Sequence, residues 1–317
     1  MILWGEKRFR SLDYELKKTY GEKLYRITLN AGMTCPNRDG TVGYGGCIFC
    51  SEKGSGDFAG NVNLSITEQI QQGKQALSGK RDVKSYLAFF QAFTNTYESV
   101  PFLEKIYLEA IEDPQVKILS IATRPDCLDD DIIALLERIN KIKPVWIELG
   151  LQTIHEDTAE YIRRGYQLPV FEEKVRKLQS MGIAVITHII LCLPNETTKM
   201  MLETIDYLNR LSIQGIKIQL LHVLENTDLA SDYRENPFYI PTLQEYIGIL
   251  GQCVAALDPN ITIHRLTGDG PKDLLIAPKW SSAKRTVLNS FNKYLKDHDI
   301  WQGKNYENAR DTTFANA

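Results

Sequence analysis

Short runs of apolar and β-branched residues alternate along the chain with longer stretches whose apolar residues return every three or four positions. The short runs, Leu24 to Asn30, Ser85 to Gln91, Val116 to Thr123, Val145 to Leu151, Ile183 to Leu193 and Ile216 to Val223, predict strands. The stretches between them, Leu64 to Leu77, Val100 to Ile111, Asp129 to Ile139, Pro169 to Met181 and Glu196 to Leu211, predict amphipathic helices, several opening on Thr, Asp or Pro. Strictly alternating strands and helices argue for a parallel sheet covered by helices, an α/β fold. Six such units favour a partial barrel, although periodicity alone does not separate it from a closed eight-stranded barrel or an open sheet. A seventh strand is expected at Ile261 to Leu266, then the turn-rich TGDGP and a helix from about Ala277 to Asp297. Residues 305–317 are polar, small and aperiodic and read as a disordered tail.

In such a sheet the chemistry belongs at the C-terminal strand ends, and polar groups gather there in this chain. The first strand runs into a cysteine loop, the second into Gln91 and Asn95, and the third into Thr123, Arg124, Pro125 and Asp126. The fourth carries Glu148 and Gln152, the fifth His188 followed by Pro194, Asn195 and Glu196, and the sixth Lys217, Gln219 and His222. Six polar ends suit one shared site better than a filled core.

Charge changes the picture at the two ends. The formal net charge is −3, but residues 1–26 carry +3 and residues 271–304 carry +4, leaving the rest near −10. Basic ends flanking a site would suit a polyanion, while two solvated helices explain the same charges equally well. No apolar stretch is long enough to span a membrane, and MILWGEKRFR lacks the apolar core of a signal peptide. A cytoplasmic protein with no membrane partner is expected.

Six cysteines include three in the segment CPNRDGTVGYGGCIFC, namely Cys35, Cys47 and Cys50. Their clustering reads as metal binding in a reducing compartment rather than a disulfide framework. Four thiolates would close a zinc site or an ordinary iron–sulfur cluster, whereas three hold a [4Fe–4S] cluster with one iron open to another ligand. A zinc site completed by one histidine stays open as an alternative. Phe49, just before the last cysteine, is placed to pack on a flat ligand group or in the core. Cys127, Cys192 and Cys253 lack ligand spacing and read as small buried side chains.

The cysteine segment resembles the cluster loop of the radical S-adenosylmethionine (SAM) superfamily, with eleven residues instead of the usual three between the first two cysteines. A similarly lengthened gap occurs in the Elongator catalytic-subunit group, which modifies wobble uridines of tRNA. IATRPDCL resembles the TRPD segment of that group, with Ala122 where the group has a glutamate. IELGLQT followed by RRGY resembles its ELGVQS region, and HIILCLPNET its LPGET-like loop. FFQAFTNTY stands where many members have a glycine-rich GGE-type turn. With the later HRLTGDGP, APKW and WQGK, the pattern from about residue 4 to 304 is similar to the YtqA/YhcC-like family.

The resemblance implies a partial (β/α)6 TIM-like barrel of the radical SAM type with N- and C-terminal extensions. Its segments would be 1–22 as a basic extension, 23–225 as the core, 226–304 as the part completing the barrel mouth, and 305–317 as the tail. It implies a [4Fe–4S] cluster on Cys35, Cys47 and Cys50 and SAM bound by Phe49, Gln91, Thr123, Glu148, Gln152, Arg164 and His188. In detail, Gln152 and His188 would lie near the ribose, Arg164 near the carboxylate, and Glu148 near the sugar or amino group. The implied activity is generation of a 5′-deoxyadenosyl radical that modifies the C5 substituent of a wobble uridine. A flavodoxin or ferredoxin would donate the electron, and Trp4, Tyr14, Trp280 and Trp301 are candidates to stack a base. No acetyltransferase-like second domain is expected. The resemblance identifies no hydrogen-transfer residue. The alternatives are a radical SAM enzyme acting on a metabolite or peptide, and a non-catalytic metal-cluster RNA-binding protein.

Overall fold

A computed structural model describes residues 2–54, 56, 58–79, 83–268 and 270–306. The expected tail falls, from 307 onward, outside the described residues.

The strands are β1 (Leu24–Leu29), β2 (Ser85–Phe90), β3 (Val116–Thr123), β4 (Val145–Gln152), β5 (Ala184–Leu191), β6 (Gly215–Leu220), β7 (Val223–Leu224), β8 (Thr262–Arg265) and β9 (Leu275–Ala277). The helices are α1 (Leu12–Tyr20), α2 (Ile66–Leu77), α3 (Val100–Glu112), α4 (Asp130–Asn140), α5 (Glu156–Tyr161), α6 (Leu168–Ser180), α7 (Thr198–Arg210), α8 (Asp228–Glu235), α9 (Leu243–Ala256) and α10 (Lys284–Asp297). Seven strands form one sheet in the order β1-β2-β3-β4-β5-β6-β8. The pairs β1–β2, β2–β3, β3–β4 and β6–β8 are parallel. The seventh strand expected near Ile261 is thus a member of the sheet.

Local chemistry explains the helix starts. Ser65 and Glu68 form a reciprocal capping box on α2, and Thr242 and Glu245 do the same on α9, each pair satisfying two backbone N–H groups that the first turn leaves unpaired. Thr197 and Thr227 cap α7 and α8 through their hydroxyls. Pro101 and Pro169 sit in the first turns of α3 and α6, where a missing N–H costs nothing.

The chain divides into two compact units, each discontinuous in sequence. One comprises Leu16–Gly150 and Arg163–Ile186, and the other Met1–Glu15, Leu151–Ile162 and Thr187–Ala317. In the first unit every residue of β2 is buried, as expected of a parallel strand covered on both faces. α3 packs on β3 and against α2 and α4.

In the second unit the two ends of the chain meet. Ser11 bridges to Ile263 beside β8, Arg8 pairs with Asp299 at 2.9 Å, and the Gln302 side chain accepts from Arg10 N at 2.8 Å. Gln302 is fully buried and donates to the carbonyls of Asp258 and Ile261 at 2.7 and 2.8 Å, so its amide replaces backbone pairing that these loops lack. Several basic groups of the ends are already taken up by local carboxylates: Arg10 by Glu15, Lys293 by Asp297, and Lys304 by Asp299.

One expectation needs correction here. The helix expected from Ala277 begins at Lys284, because Ala277 pairs with Val223 in the β7–β9 ribbon and Lys279–Ser282 form a short 3-10 turn. Trp280 is held in the fold: its indole N–H donates to the Pro241 carbonyl at 3.0 Å and its ring lies 5.6 Å from that of Tyr246. The ring itself stays half-exposed.

Candidate active site

The loop leaving β1 is built by its own backbone. The N–H groups of Arg38 and Asp39 return to the Cys35 carbonyl, those of Val42 and Gly43 to Pro36, and that of Gly46 to Asn37 at 2.7 Å. A tight turn follows, in which Cys50 N bonds to Cys47 O at 2.9 Å with Ile48 and Phe49 at its tip. The two residues between Cys47 and Cys50 are therefore a turn, which holds both thiols on one side of the loop. All three cysteines are half-buried.

The neighbouring Cys50 thiol draws the Cys47 thiol down, with help from Arg124 and Asn37, while the Cys47 thiol and burial push the Cys50 thiol up. Arg38 supports the far end of the loop. Its guanidinium donates to the Ser51 carbonyl at 2.5 Å and lies over the Phe93 ring, 5.3 Å from its centre.

The end of β3 delivers Arg124 to this loop. Arg124 is buried and chelates Asp126 with Nε and Nη2 at 3.0 and 2.7 Å, while Nη1 donates to the Arg164 carbonyl at 2.8 Å. Burial alone would favour losing its proton, but the hydrogen bonds and charge of Asp126, with the thiols of Cys35 and Cys47, hold it firmly charged. The guanidinium also covers the Tyr166 ring at 5.3 Å, as does that of Arg164 at 4.7 Å. Tyr166 in turn donates its hydroxyl to the Gly150 carbonyl. Gly165 makes the turn possible: its φ is +79°, and an added Cβ would stand 2.7 Å from Asn37 Oδ1 and 3.2 Å from Arg124 Nη2. The RRGY segment is thus a turn whose carbonyls receive Asn37 and Arg124.

After β2 the chain passes through Ala92 and Phe93 with φ of 87° and 57°. Left-handed backbone at two successive residues with side chains is strained, and the surroundings fix it. Phe93 N bonds to Gly54 O, Thr94 N to Thr34 O, and the Asn95 amide to the carbonyls of Ala92 and Ala122. This turn ties the cysteine loop to β3. A cavity of about 500 Å³ opens beside it, lined among others by Thr34, Pro36, Thr96, Glu98, Asp126 and Asp129.

The sequence-derived positions fall as follows. Cys35, Cys47, Cys50, Phe49, Gln91, Thr123, Glu148 and Arg164 lie in the same unit. Phe49 is half-buried, and Gln91, just past β2, bonds through its N–H to the Leu29 carbonyl at 3.2 Å. The Thr123 hydroxyl meets that of Thr96 at 2.5 Å. Glu148 is buried and accepts from the Ser120 hydroxyl at 2.8 Å. Arg164 is buried with Nε on the Tyr166 carbonyl at 2.9 Å. Gln152, with φ +67° at the end of β4, and His188, half-buried on β5, belong to the other unit. Cys127, Cys192 and Cys253 are buried, as their spacing suggested. Sequence reasoning gave no site role to Asn37 or Tyr166 and placed Arg124 among the polar strand ends without a specific role. The signal was present for Arg124, which lies in the TRPD strand end, but a motif does not say which of its members faces the cysteines.

The donor set fits an iron–sulfur cluster: three thiols on one loop, an amide N–H at Cys47 and a buried guanidinium within electrostatic reach of Cys35 and Cys47. Among the described residues no three His, Cys, Asp or Glu side chains, these cysteines included, stand close enough to hold a single metal ion.

The comparisons agree with this chemistry. The family model described as Radical SAM superfamily matches residues 34–208, and that of the Radical_SAM C-terminal domain matches 213–297. The chain is 41% identical to the uncharacterized protein YtqA of Bacillus subtilis, covering 95% of this chain and 94% of that one, and 32% identical to protein YhcC of Escherichia coli, covering 90% and 92%. It is 25% identical to the tRNA uridine(34) acetyltransferase of Methanocaldococcus jannaschii over 57% of this chain and 33% of that one. The archaeal Methanocaldococcus infernus Elp3 shares the fold with a TM-score of 0.69 at 14% identity, covering 88% of this chain and 64% of that one. The likeness bears out the expected α/β fold of the radical SAM type. The chain belongs to the radical SAM superfamily, whose cofactors are a [4Fe–4S] cluster and S-adenosylmethionine.

Proposed function

We propose that this radical SAM enzyme modifies the C5 substituent of a tRNA wobble uridine. The observation that carries the reading is the similarity over 57% of the chain to an enzyme named for uridine 34 of tRNA, and the Elp3 fold likeness supports it. The matched stretch is a third of that enzyme, so its acetyl transfer is not carried over.

In this reading Cys35, Cys47 and Cys50 hold the cluster and leave one iron for SAM. When bound, the pair supplies a 5′-deoxyadenosyl radical by one-electron cleavage of the sulfonium. The chain's residues bind, orient and shield. Gln91 and the strained backbone after it stand in for the glycine-rich turn. Thr123 and Glu148, fixed by Thr96 and Ser120, present polar groups that need no reorganisation when the cofactor arrives. Phe49, Gln152, Arg164 and His188 complete the proposed SAM contacts, and a flavodoxin or ferredoxin supplies the electron.

The test begins with anaerobic reconstitution with iron and sulfide, then dithionite and SAM, with chromatography for 5′-deoxyadenosine and Cys50→Ala as control. Mass spectrometry of tRNA nucleosides from a deletion strain follows, with the purified enzyme added to that tRNA. A uridine derivative that accumulates in the strain and is consumed by the enzyme supports the reading. Cys50-dependent SAM cleavage with an unchanged nucleoside profile moves the substrate to a metabolite or peptide. Full cluster loading without SAM cleavage favours a non-catalytic RNA-binding role.

A further inference from the structure

Asn37 touches a thiol that the proposed function assigns to the cluster. Its Nδ2 donates to the Arg163 carbonyl at 2.5 Å and lies 3.6 Å from Cys47 Sγ. The carbonyl fixes which end of the amide is nitrogen, since the side-chain oxygen could not face another acceptor, and the second N–H of Nδ2 is left for sulfur. The other end is accommodated by two glycines. A Cβ at Gly43 would stand 3.0 Å from Oδ1, and one at Gly165 2.7 Å. The Asn37 backbone is tied to the same loop, its carbonyl accepting from Gly46 N at 2.7 Å. One residue is thus pinned at its backbone and its amide nitrogen, with its amide oxygen in the room two glycines leave and one N–H aimed at one sulfur.

We propose that Asn37 tunes the cluster: its N–H bond to Cys47 raises the reduction potential of the [4Fe–4S] centre. The inference rests on reading Cys35, Cys47 and Cys50 as the cluster ligands. Reduction adds one electron from a low-potential donor, and the added charge is shared with the ligating sulfurs. An N–H donor stabilises the more negative state more strongly, and cluster potentials depend on hydrogen bonds to sulfur. Asn37 is therefore a positioning residue that acts through Cys47, and its effect is on how easily the electron enters.

The experiment is a potentiometric titration of the reconstituted full-length protein, followed by electron paramagnetic resonance, for wild type, Asn37→Ala and Asn37→Asp. Iron, sulfide and the visible spectrum are measured first. With clusters fully loaded, Asn37→Ala is expected to shift the midpoint to more negative potential by about tenfold in the reduction equilibrium, ~59 mV for a one-electron couple. Asn37→Asp, which keeps the shape but replaces the donor by a carboxylate, is expected to shift it further. Unchanged midpoints in both variants overturn the proposal. So does loss of iron in both with the chain still folded, since that makes Asn37 a loop brace. Cys47→Ala separates the two readings: a full three-thiolate complement of iron in that variant sinks the ligand assignment itself, whereas loss of iron there with unshifted Asn37 variants sinks the tuning alone.

Discussion

Replacing Gly165 by alanine puts two separable penalties on one residue. The first is conformational: at φ +79° an L side chain costs about 1–2 kcal/mol. The second is crowding. The new Cβ would meet Asn37 Oδ1 at 2.7 Å, Val42 Cγ1 at 2.9 Å and Arg124 Nη2 at 3.2 Å. Asn37 is held by the Arg163 carbonyl and Arg124 by Asp126, so these two cannot step aside without breaking hydrogen bonds, and about 1–3 kcal/mol of strain is expected. Gly182 isolates the first penalty, because its φ is +69° and nothing lies within 4 Å of its added Cβ. Gly182→Ala should cost about 1–2 kcal/mol and Gly165→Ala about 2–5 kcal/mol. At about 2.1 cal/mol/K of unfolding entropy per residue, 317 residues give about 1.5 °C per kcal/mol, so the gap between the two variants is about 1.5–4.5 °C. The assay is thermal unfolding by circular dichroism, with iron content after reconstitution measured in parallel. Gly165→Ala should lose both stability and iron, and Gly182→Ala stability alone. If Gly165→Ala melts no lower than Gly182→Ala, the crowding argument is wrong, and with it the idea that the RRGY turn positions Asn37 and Arg124.

Thr242→Ala removes the capping box of α9 and should cost about 1 kcal/mol, read as a lower midpoint in urea. Tyr107→Phe deletes a buried hydroxyl that donates to the Asn95 carbonyl, and should cost about 1–3 kcal/mol by leaving that oxygen unpaired beside the strained turn. An unchanged urea midpoint would refute either estimate. Glu196 supplies a pH test. Burial raises its carboxyl above the ordinary 4.5 despite hydrogen bonds from Thr153 and Thr158. The folded state therefore holds this proton longer than the unfolded state does. The resulting stabilisation is full below the unfolded value and is lost as pH rises through the folded one. Glu196→Gln should gain in melting temperature relative to wild type as pH rises through that window. A difference that stays flat with pH would show that Glu196 titrates normally.

Some of the site was legible because local physics writes it into the chain. The strand at Val116 to Thr123 was read to the residue, since its β-branched and apolar residues are bounded by the Asp113–Pro114 turn before it and by Arg124–Pro125 after it. Boundaries elsewhere moved by a few residues, as at β5, where Cys192 and Leu193 continue the apolar run beyond the strand's end at Leu191. α5 and α8 escaped notice because they are short, with too few turns to establish a period, and the 14-residue α9 because it is apolar on nearly every side and shows no polar stripe. The β7–β9 ribbon was hidden because its strands of two and three residues pair across half a hundred positions.

The sequence by itself determined the class of fold, since alternating apolar runs and amphipathic stretches argue for a covered parallel sheet, and it supplied a group of three cysteines as candidate donors. Only the tertiary structure decided which groups surround those thiols. Asn37 and Arg163 are far apart in the chain, as are Arg124 and Arg164, and their hydrogen bonds depend on a left-handed glycine turn closing against the cysteine loop. A motif records which residue types occur near one another in sequence, whereas the field at a sulfur atom falls with distance in space, and only the folded chain sets that distance.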